Sequence, residues 1–489
     1  MSTLRSTWLR GRRKQSEATA ILHRALDGPV TTNKKIIYPR LEEDMHEYLA
    51  SNSDSSLLKK RAYRKIWWRI IPLLFVCYGI AFIDRINLGF TKLQMSDALG
   101  INPTWYGIAA GAFFITYSLC EMPSNILLAR WGARRTFVRI MFLWGLATAA
   151  TAFVLTVGHL ITLRLLLGAF EAGFLPGIVL YLTFWFPASM RARVTAVIFV
   201  ANAAAGSIAA PLSGWILTSL NGALGLAGWK WVFIVQGLPA CVLGIVCFLT
   251  LRDKPDDAEW LTAEEKAAVK ADLASEVVVS PDHSFGVFRQ VLGNPVNYLV
   301  AFLFFTAICS NYLLFFWLPT IVKESGVASL VNVGLLTAIP LAMGFIGAIV
   351  LSWSSDWLKE RRWHLALCFC LIALGLIAST TTRSLPLMLI SFAVASFATG
   401  ASGPLIWAIP PAYLGKKAAP IGIAFISTLG NIAGFASPPL LGYIKTTTGS
   451  LTNGVLLIAA LSAVGAICIA FAFPERVVRV ARKDAIEAA

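Results

Sequence analysis

Between residues 66 and 474 the chain returns again and again to apolar runs with few charges, each about the length that crosses a bilayer, roughly 20 residues of helix. Broken at charged or Gly/Pro-rich stretches, the runs fall at 66–90, 105–128, 136–157, 160–186, 193–219, 230–251, 296–322, 332–353, 363–381, 385–412, 418–443 and 453–474. Backbone groups in hydrocarbon must be satisfied within their own segment, so runs of this length fold as helices. With 57% of residues hydrophobic and 14% charged, the composition excludes an ordinary soluble globular protein. The expectation is an all-α membrane protein of twelve spans.

The formal net charge of +16 does not point to nucleic acid, because the basic residues fall mainly in alternate connections. One side collects Lys59, Lys60, Arg61, Arg64 and Lys65, Arg130, Arg134 and Arg135, Arg191 and Arg193, Lys359, Arg361 and Arg362, then Lys416 and Lys417, and finally Arg476, Arg479 and Arg482. The other side holds little beyond Lys92, Lys230, Lys323, Arg383 and Lys445. The positive-inside rule then puts both termini in the cytoplasm, as an even number of spans requires.

Residues 1–65 form a cytoplasmic tail with no apolar signal-peptide core; it reads as disordered, with Met45 as an alternative start. Residues 66–251 make a first six-helix bundle, 252–295 a cytoplasmic linker, 296–474 a second bundle and 475–489 a short cytoplasmic tail. Within the linker, Thr262 and Glu265 have capping-box spacing and predict a short solvated helix. The two bundles look duplicated. AGSIAAPLSGWI at 205–216 matches AGFASPPLLGYI at 433–444 at an offset of 228, and Gly107 matches Gly334 at 227.

Ionisable groups inside a span are costly unless they face the bundle interior and find partners, so each one is a candidate for function. Those away from the span ends are Asp84 and Arg85 in span 1, Glu121 in span 2, and Arg164 and Glu171 in span 4. Arg164 and Glu171 are two turns apart, on one helix face. The four groups near mid-depth could pair off as a fixed buried network. Alternatively Arg85 and Arg164 hold an anionic substrate, which suits a permanently charged planar fork, while Asp84 and Glu171 take up protons. Glu121, followed by Pro123 and Asn125 near the cytoplasmic end of span 2, fits a gate or a packing cluster; Arg130 and Arg134 in the adjoining turn are gating candidates. Tyr117, Asn202, Asn311, Tyr312 and Asn431 are neutral polar groups placed to contact a substrate or to bond helix to helix. Phe304, Phe305, Phe315, Phe316 and Trp317 could add an aromatic wall or simply pack. No Walker loop, HExxH motif or CxxC spacing calls for a cofactor or a metal, and no nucleophile set suggests an enzyme.

The segment NILLARWGARR at 125–135 resembles the span 2–3 signature of the major facilitator superfamily. FIDRIN at 82–87, EMPSN at 121–125, LRLLLGAFEAGFLPG at 163–177 and GLAGWKWVF at 225–233 resemble, more narrowly, the anion:cation symporter family in its bacterial branch of phthalate, tartrate, hydroxyphenylacetate and sugar-acid permeases. The resemblance implies two six-helix bundles in the major facilitator fold working by alternating access. It also implies a monomeric importer in the bacterial inner membrane, carrying a small aromatic or hydroxy carboxylate with protons. In that family Asp84 and Glu171 would be the coupling groups and Arg85 and Arg164 the anion ligands. Two features depart from the pattern: Ala129 stands where the superfamily expects an aspartate, and the second-half counterpart, SSDWLKERR at 354–362, is degenerate. A drug/proton exporter of the same fold and a transporter-like receptor are the competing readings.

Overall fold

The computed structural model describes residues 34–274 and 285–472, except for some side chains, that of Asn202 among them. Its regular structure is helical throughout the described residues. The first half comprises α1 (Lys34–Leu99), α2 (Pro103–Trp131), α3 (Ala133–Ala150), α4 (Val157–Glu171), α5 (Phe174–Thr183), α6 (Ala188–Ser219) and α7 (Gly228–Thr250). Two short helices follow, α8 (Ala263–Ala274) and α9 (Phe285–Gly293). The second half comprises α10 (Pro295–Phe316), α11 (Leu318–Glu324), α12 (Leu330–Leu358), α13 (Arg362–Thr381), α14 (Leu385–Trp407), α15 (Pro410–Thr448) and α16 (Thr452–Ile467).

Among the described residues, eleven helical segments are long and apolar enough to cross a membrane. The twelfth expected span is α2, 29 residues long but less apolar. From its middle onward it carries Thr116, Tyr117, Glu121, Ser124 and Asn125, the polar side chains that a cavity-lining helix needs and a lipid-facing one cannot keep.

Three boundaries differ from the sequence reading. Residues 34–65, assigned there to a disordered tail, are helical as the start of α1; an apolar span supplies the costly nucleus, and extension then adds one hydrogen bond per residue. Residues 1–33 and the tail at 475–489 lie outside the described residues. Span 4 is two helices, α4 and α5, with a break at Ala172–Gly173 where Gly173 takes a left-handed conformation. Pro176 explains the break: its ring would clash with the carbonyl of residue 172 in a continuous helix, but it is tolerated in the first turn of a new one. Span 7 is likewise interrupted at Trp317, between α10 and α11.

The linker helix α8 forms its capping box in both directions: the Thr262 N–H donates to Glu265 Oε2 (3.0 Å) and the Glu265 N–H to Thr262 Oγ1 (3.2 Å). It is not simply solvated. Lys65 of α1 pairs with Glu265 at 2.8 Å, and Tyr63 donates to Asp272 at 2.9 Å, so the helix docks on the polar end of α1.

Close contact between the halves runs through α2 against α15 and α6 against α12, at the end away from α8. An added Cβ at Gly107 would collide with the Pro438 carbonyl, and one at Gly334 with the Ala210 carbonyl. These are duplicated positions meeting each other's partners, since Gly107 and Gly334 are repeat equivalents, as are Ala210 and Pro438. Small residues let the backbones touch. At the same end Lys92 is buried with its ammonium 3.7 Å from the Trp317 ring centroid and 4.5 Å from that of Tyr106. The Tyr106 hydroxyl lies 3.2 Å from the Phe316 carbonyl, and Lys323 donates to the Leu93 carbonyl at 2.8 Å.

Candidate functional site

The five intramembrane charges come from three helices. Gly168 of α4, between Arg164 and Glu171, leaves no room for a Cβ beside the Phe113 carbonyl of α2. Thr116 of α2 donates to the Leu165 carbonyl at 2.6 Å on the same contact. This approach carries both charged residues of α4 to α2, opposite α1.

Arg85 of α1 forms an ion pair with Glu171, whose side chain is almost fully buried. The Arg85 guanidinium also lies over three aromatic rings, with its central carbon 5.3 Å from Phe82, 5.1 Å from Phe113 and 5.3 Å from Tyr117. Away from water, such cation–ring contacts are worth up to about 2 kcal/mol each. The Arg164 guanidinium carbon is 5.2 Å from the same Phe113 ring. One phenylalanine is therefore shared by two arginines, a role the sequence did not signal.

Asp84 is adjacent to Arg85 in sequence but turns away from it. One carboxylate oxygen accepts from Thr148 of α3 at 2.7 Å and the other from Asn87 at 2.8 Å. The expectation of two carboxylates and two guanidinium groups neutralised in pairs is thus met only for Arg85 and Glu171. Arg164 is 1% exposed and forms no ion pair among the described residues, and its Nε and Nη2 have no hydrogen-bond partner. Thr148 was missed because nothing in its local sequence marks it; only the packing of α3 on α1 selects it.

The remaining candidates separate. Tyr117 joins the cluster, its ring 5.4 Å from Phe113. Tyr312 reaches it from the second half, with ring centroids 4.7 Å from Phe114 and 5.4 Å from Phe316. Asn311 is half-buried on the same helix, whereas Asn431 of α15 spends its amide on Ser427 at 3.2 Å. Asn202 lies on α6, and its side chain is outside the described residues. Of the aromatic stripe, Phe316 and Trp317 are fully buried packing groups and Phe304 sits 4.6 Å from Trp407; Phe315 meets Phe82 beside Arg85.

The gating set is dispersed. Asn125 donates to the Glu121 carbonyl of its own helix at 3.0 Å, and Arg130 is exposed. Arg134 binds within the first half: its Nε donates to the Phe248 carbonyl at 2.5 Å and its backbone N–H to Asp253 at 3.0 Å. Asp253 thus supplies a carboxylate at the turn where Ala129 has none. Arg362, 228 residues after Arg134, donates to the Ile469 and Ala470 carbonyls at the end of the second half, so the duplication extends to these struts.

Residues 74–438 match the model of the Major Facilitator Superfamily. A protein of Agrobacterium vitis named as a tartrate transporter is 39% identical over 85% of this chain and 95% of its own. One of Pseudomonas putida named as a metabolite transport protein is 38% identical over 82% and 91%. A quinolone resistance transporter of Acinetobacter baumannii is 35% identical over 84% and 94%. Among solved structures, a bacterial homologue of the human lysosomal transporter Spinster, inward-facing and occupied, superposes with a TM-score of 0.65 at 15% identity, covering 84% of this chain and 96% of that one. Duplicated helices closing on each other and a cluster of charges buried among the first-half helices are what a membrane carrier requires, and the chain belongs to the Major Facilitator Superfamily of transporters rather than to any class of enzyme.

Proposed function

We propose that the protein imports a small organic anion, an aromatic or hydroxy carboxylate, together with protons, through two six-helix bundles at 66–251 and 296–474 joined by a cytoplasmic linker. Both termini are then cytoplasmic, in a bacterial inner membrane, and the carrier works as a monomer. The observation that carries the reading is Arg164: a buried guanidinium with two unpartnered nitrogens, one phenyl ring away from Arg85. An unpaired charge at that depth is expensive, and a carboxylate matches the guanidinium fork. A substrate carboxylate reaching Arg85 displaces Glu171 from it, and the freed carboxylate binds a proton from solution. Asp84, held by two neutral donors, is the second proton site. Tyr117, Tyr312 and Asn311 line the substrate; Glu121, Asn125 and Arg130 act at the cytoplasmic gate.

Thermal unfolding of the purified protein against a panel of mono- and dicarboxylates tests this, because a bound ligand raises apparent stability by mass action. At least one carboxylate is expected to stabilise the wild type. Arg164→Lys keeps the charge but loses the fork, so it should bind that carboxylate about tenfold or more weakly, in line with roughly 1–3 kcal/mol for a charge-assisted contact. Unchanged affinity in a folded Arg164→Lys variant would return this arginine to a structural role. Export of a drug is the second reading, favoured by the quinolone resistance relative. Counterflow in liposomes separates the two: exchange of labelled carboxylate supports import, and exchange of a fluoroquinolone alone defeats it.

A further inference from the structure

At the linker end, where α1 and α7 leave the apolar zone, two hollows of about 360 and 570 Å³ share Arg69 and Trp260 as walls. Arg64, Lys65 and Trp68 of α1 complete the first, and Leu249, Thr250, Arg252 and Glu259 the second. The nearby acids are already engaged. Glu265 pairs with Lys65, and Glu259, 86% exposed, stands 3.6 Å from Arg252. Arg64 and Arg69 form no ion pair among the described residues. The Arg69 guanidinium lies 5.3 Å from the Trp260 ring centroid, and Trp260 stacks on Trp185 at 5.7 Å and 13°. A guanidinium resting on a ring by its face keeps its edge N–H groups for an anion.

We propose that these hollows bind the headgroup of an anionic phospholipid from the leaflet on the linker side. Charge complementarity argues for it: two uncompensated guanidinium groups line one concavity at the depth of the lipid phosphates. The apolar rim argues for a lipid over a free ion. Trp68 is 70% exposed and Leu249 61% exposed, both at the first turn of the apolar zone, where an acyl chain would continue from a bound headgroup. A single phosphate accepts from Arg64 and Arg69, and the glycerol backbone lies against Trp68. The site is remote from the Arg85–Glu171 pair and does not depend on which substrate is carried.

The test uses the full-length protein in a neutral detergent, titrated separately with phosphatidylglycerol, phosphatidylcholine and inorganic phosphate. Native mass spectrometry counts retained lipid, and thermal unfolding follows stability. Phosphatidylglycerol is expected to be retained about tenfold more tightly than phosphatidylcholine, and inorganic phosphate to leave the melting temperature unchanged. Arg64→Gln/Arg69→Gln should reduce that retention at least fivefold, and the exposed single change Arg64→Gln should reduce it in part without disturbing the fold. Arg135→Gln/Arg193→Gln removes the same charge from other exposed basic positions and should have no effect. Equal losses in the two double variants would reduce the binding to general surface charge. A response to phosphate matching that to phosphatidylglycerol would make the site one for a free anion, and either result overturns the proposal.

Discussion

Asp84 and Glu171 are both buried carboxylates, yet their neighbours give them different work. Glu171 faces a permanent cation, whereas Asp84 is held by the Thr148 hydroxyl and the Asn87 amide. Glu171→Gln removes the internal competitor for Arg85, so substrate binding at fixed pH should persist or tighten while uptake driven by a pH gradient collapses. Asp84→Asn should also bind substrate and fail to accumulate it, because no proton can be released to complete the cycle. Liposomes carrying each variant, assayed for binding and for gradient-driven uptake, check both outcomes. Wild-type accumulation by Asp84→Asn would leave that aspartate a purely structural group and Glu171 the sole coupling site. Thr148→Val is a sharper probe of the same contact. Leaving one Asp84 oxygen unpaired should cost about 1–3 kcal/mol, visible as a lower melting temperature.

At the scale of elements, the seam between α2 and α15 and between α6 and α12 depends on glycines that admit a neighbouring backbone. Gly107→Val and Gly334→Val place a branched side chain against a carbonyl that cannot retreat without moving a helix. Each should hold the halves apart at this end and cut uptake at least tenfold. Lys92 reports the separation directly. In the wild type it is enclosed by Tyr106 and Trp317, so a membrane-impermeant amine reagent should modify its peptide slowly; in Gly107→Val the modification should be several-fold faster. Unchanged labelling together with normal uptake would show that the seam tolerates a side chain and that closure does not depend on this contact. Span 4 presents the opposite device, because Pro176 ends α4 immediately after Glu171 and lets α5 start afresh. The Glu171 carboxylate therefore sits at a helix end, where its backbone is less constrained than in mid-helix.

For the whole molecule, contacts divide the chain into Met1–Ala62 and Tyr63–Ala489. The second unit contains every charged group of the candidate site. Deleting residues 1–44 should accordingly leave both the melting temperature and uptake within error of the full chain, measured on purified protein and in liposomes. A loss of uptake without a loss of stability would assign the leader a regulatory part. Duplication acts at this scale too. Arg134 and Arg362, 228 apart, each tie the turn after the second helix of their half to the end of that half's last helix. The degenerate motif at 354–362 has lost its resemblance but keeps this strut.

The length of the apolar runs was enough to determine the class of fold, because hydrocarbon forces every crossing segment to satisfy its own backbone, and matched segments at an offset of 227–228 disclosed the internal repeat. The same cost singled out Asp84, Arg85, Arg164 and Glu171, since a charge in a span stands out whatever surrounds it. Their pairing was a tertiary decision. Arg85 chose Glu171 over the adjacent Asp84 because Gly168 brings α4 against α2 and α3 offers Asp84 a hydroxyl, and neither contact leaves a trace in local sequence. Arg134 bonds inside its own half for the same reason: the carbonyl it needs lies 114 residues away, at the end of α7, where only packing can deliver it.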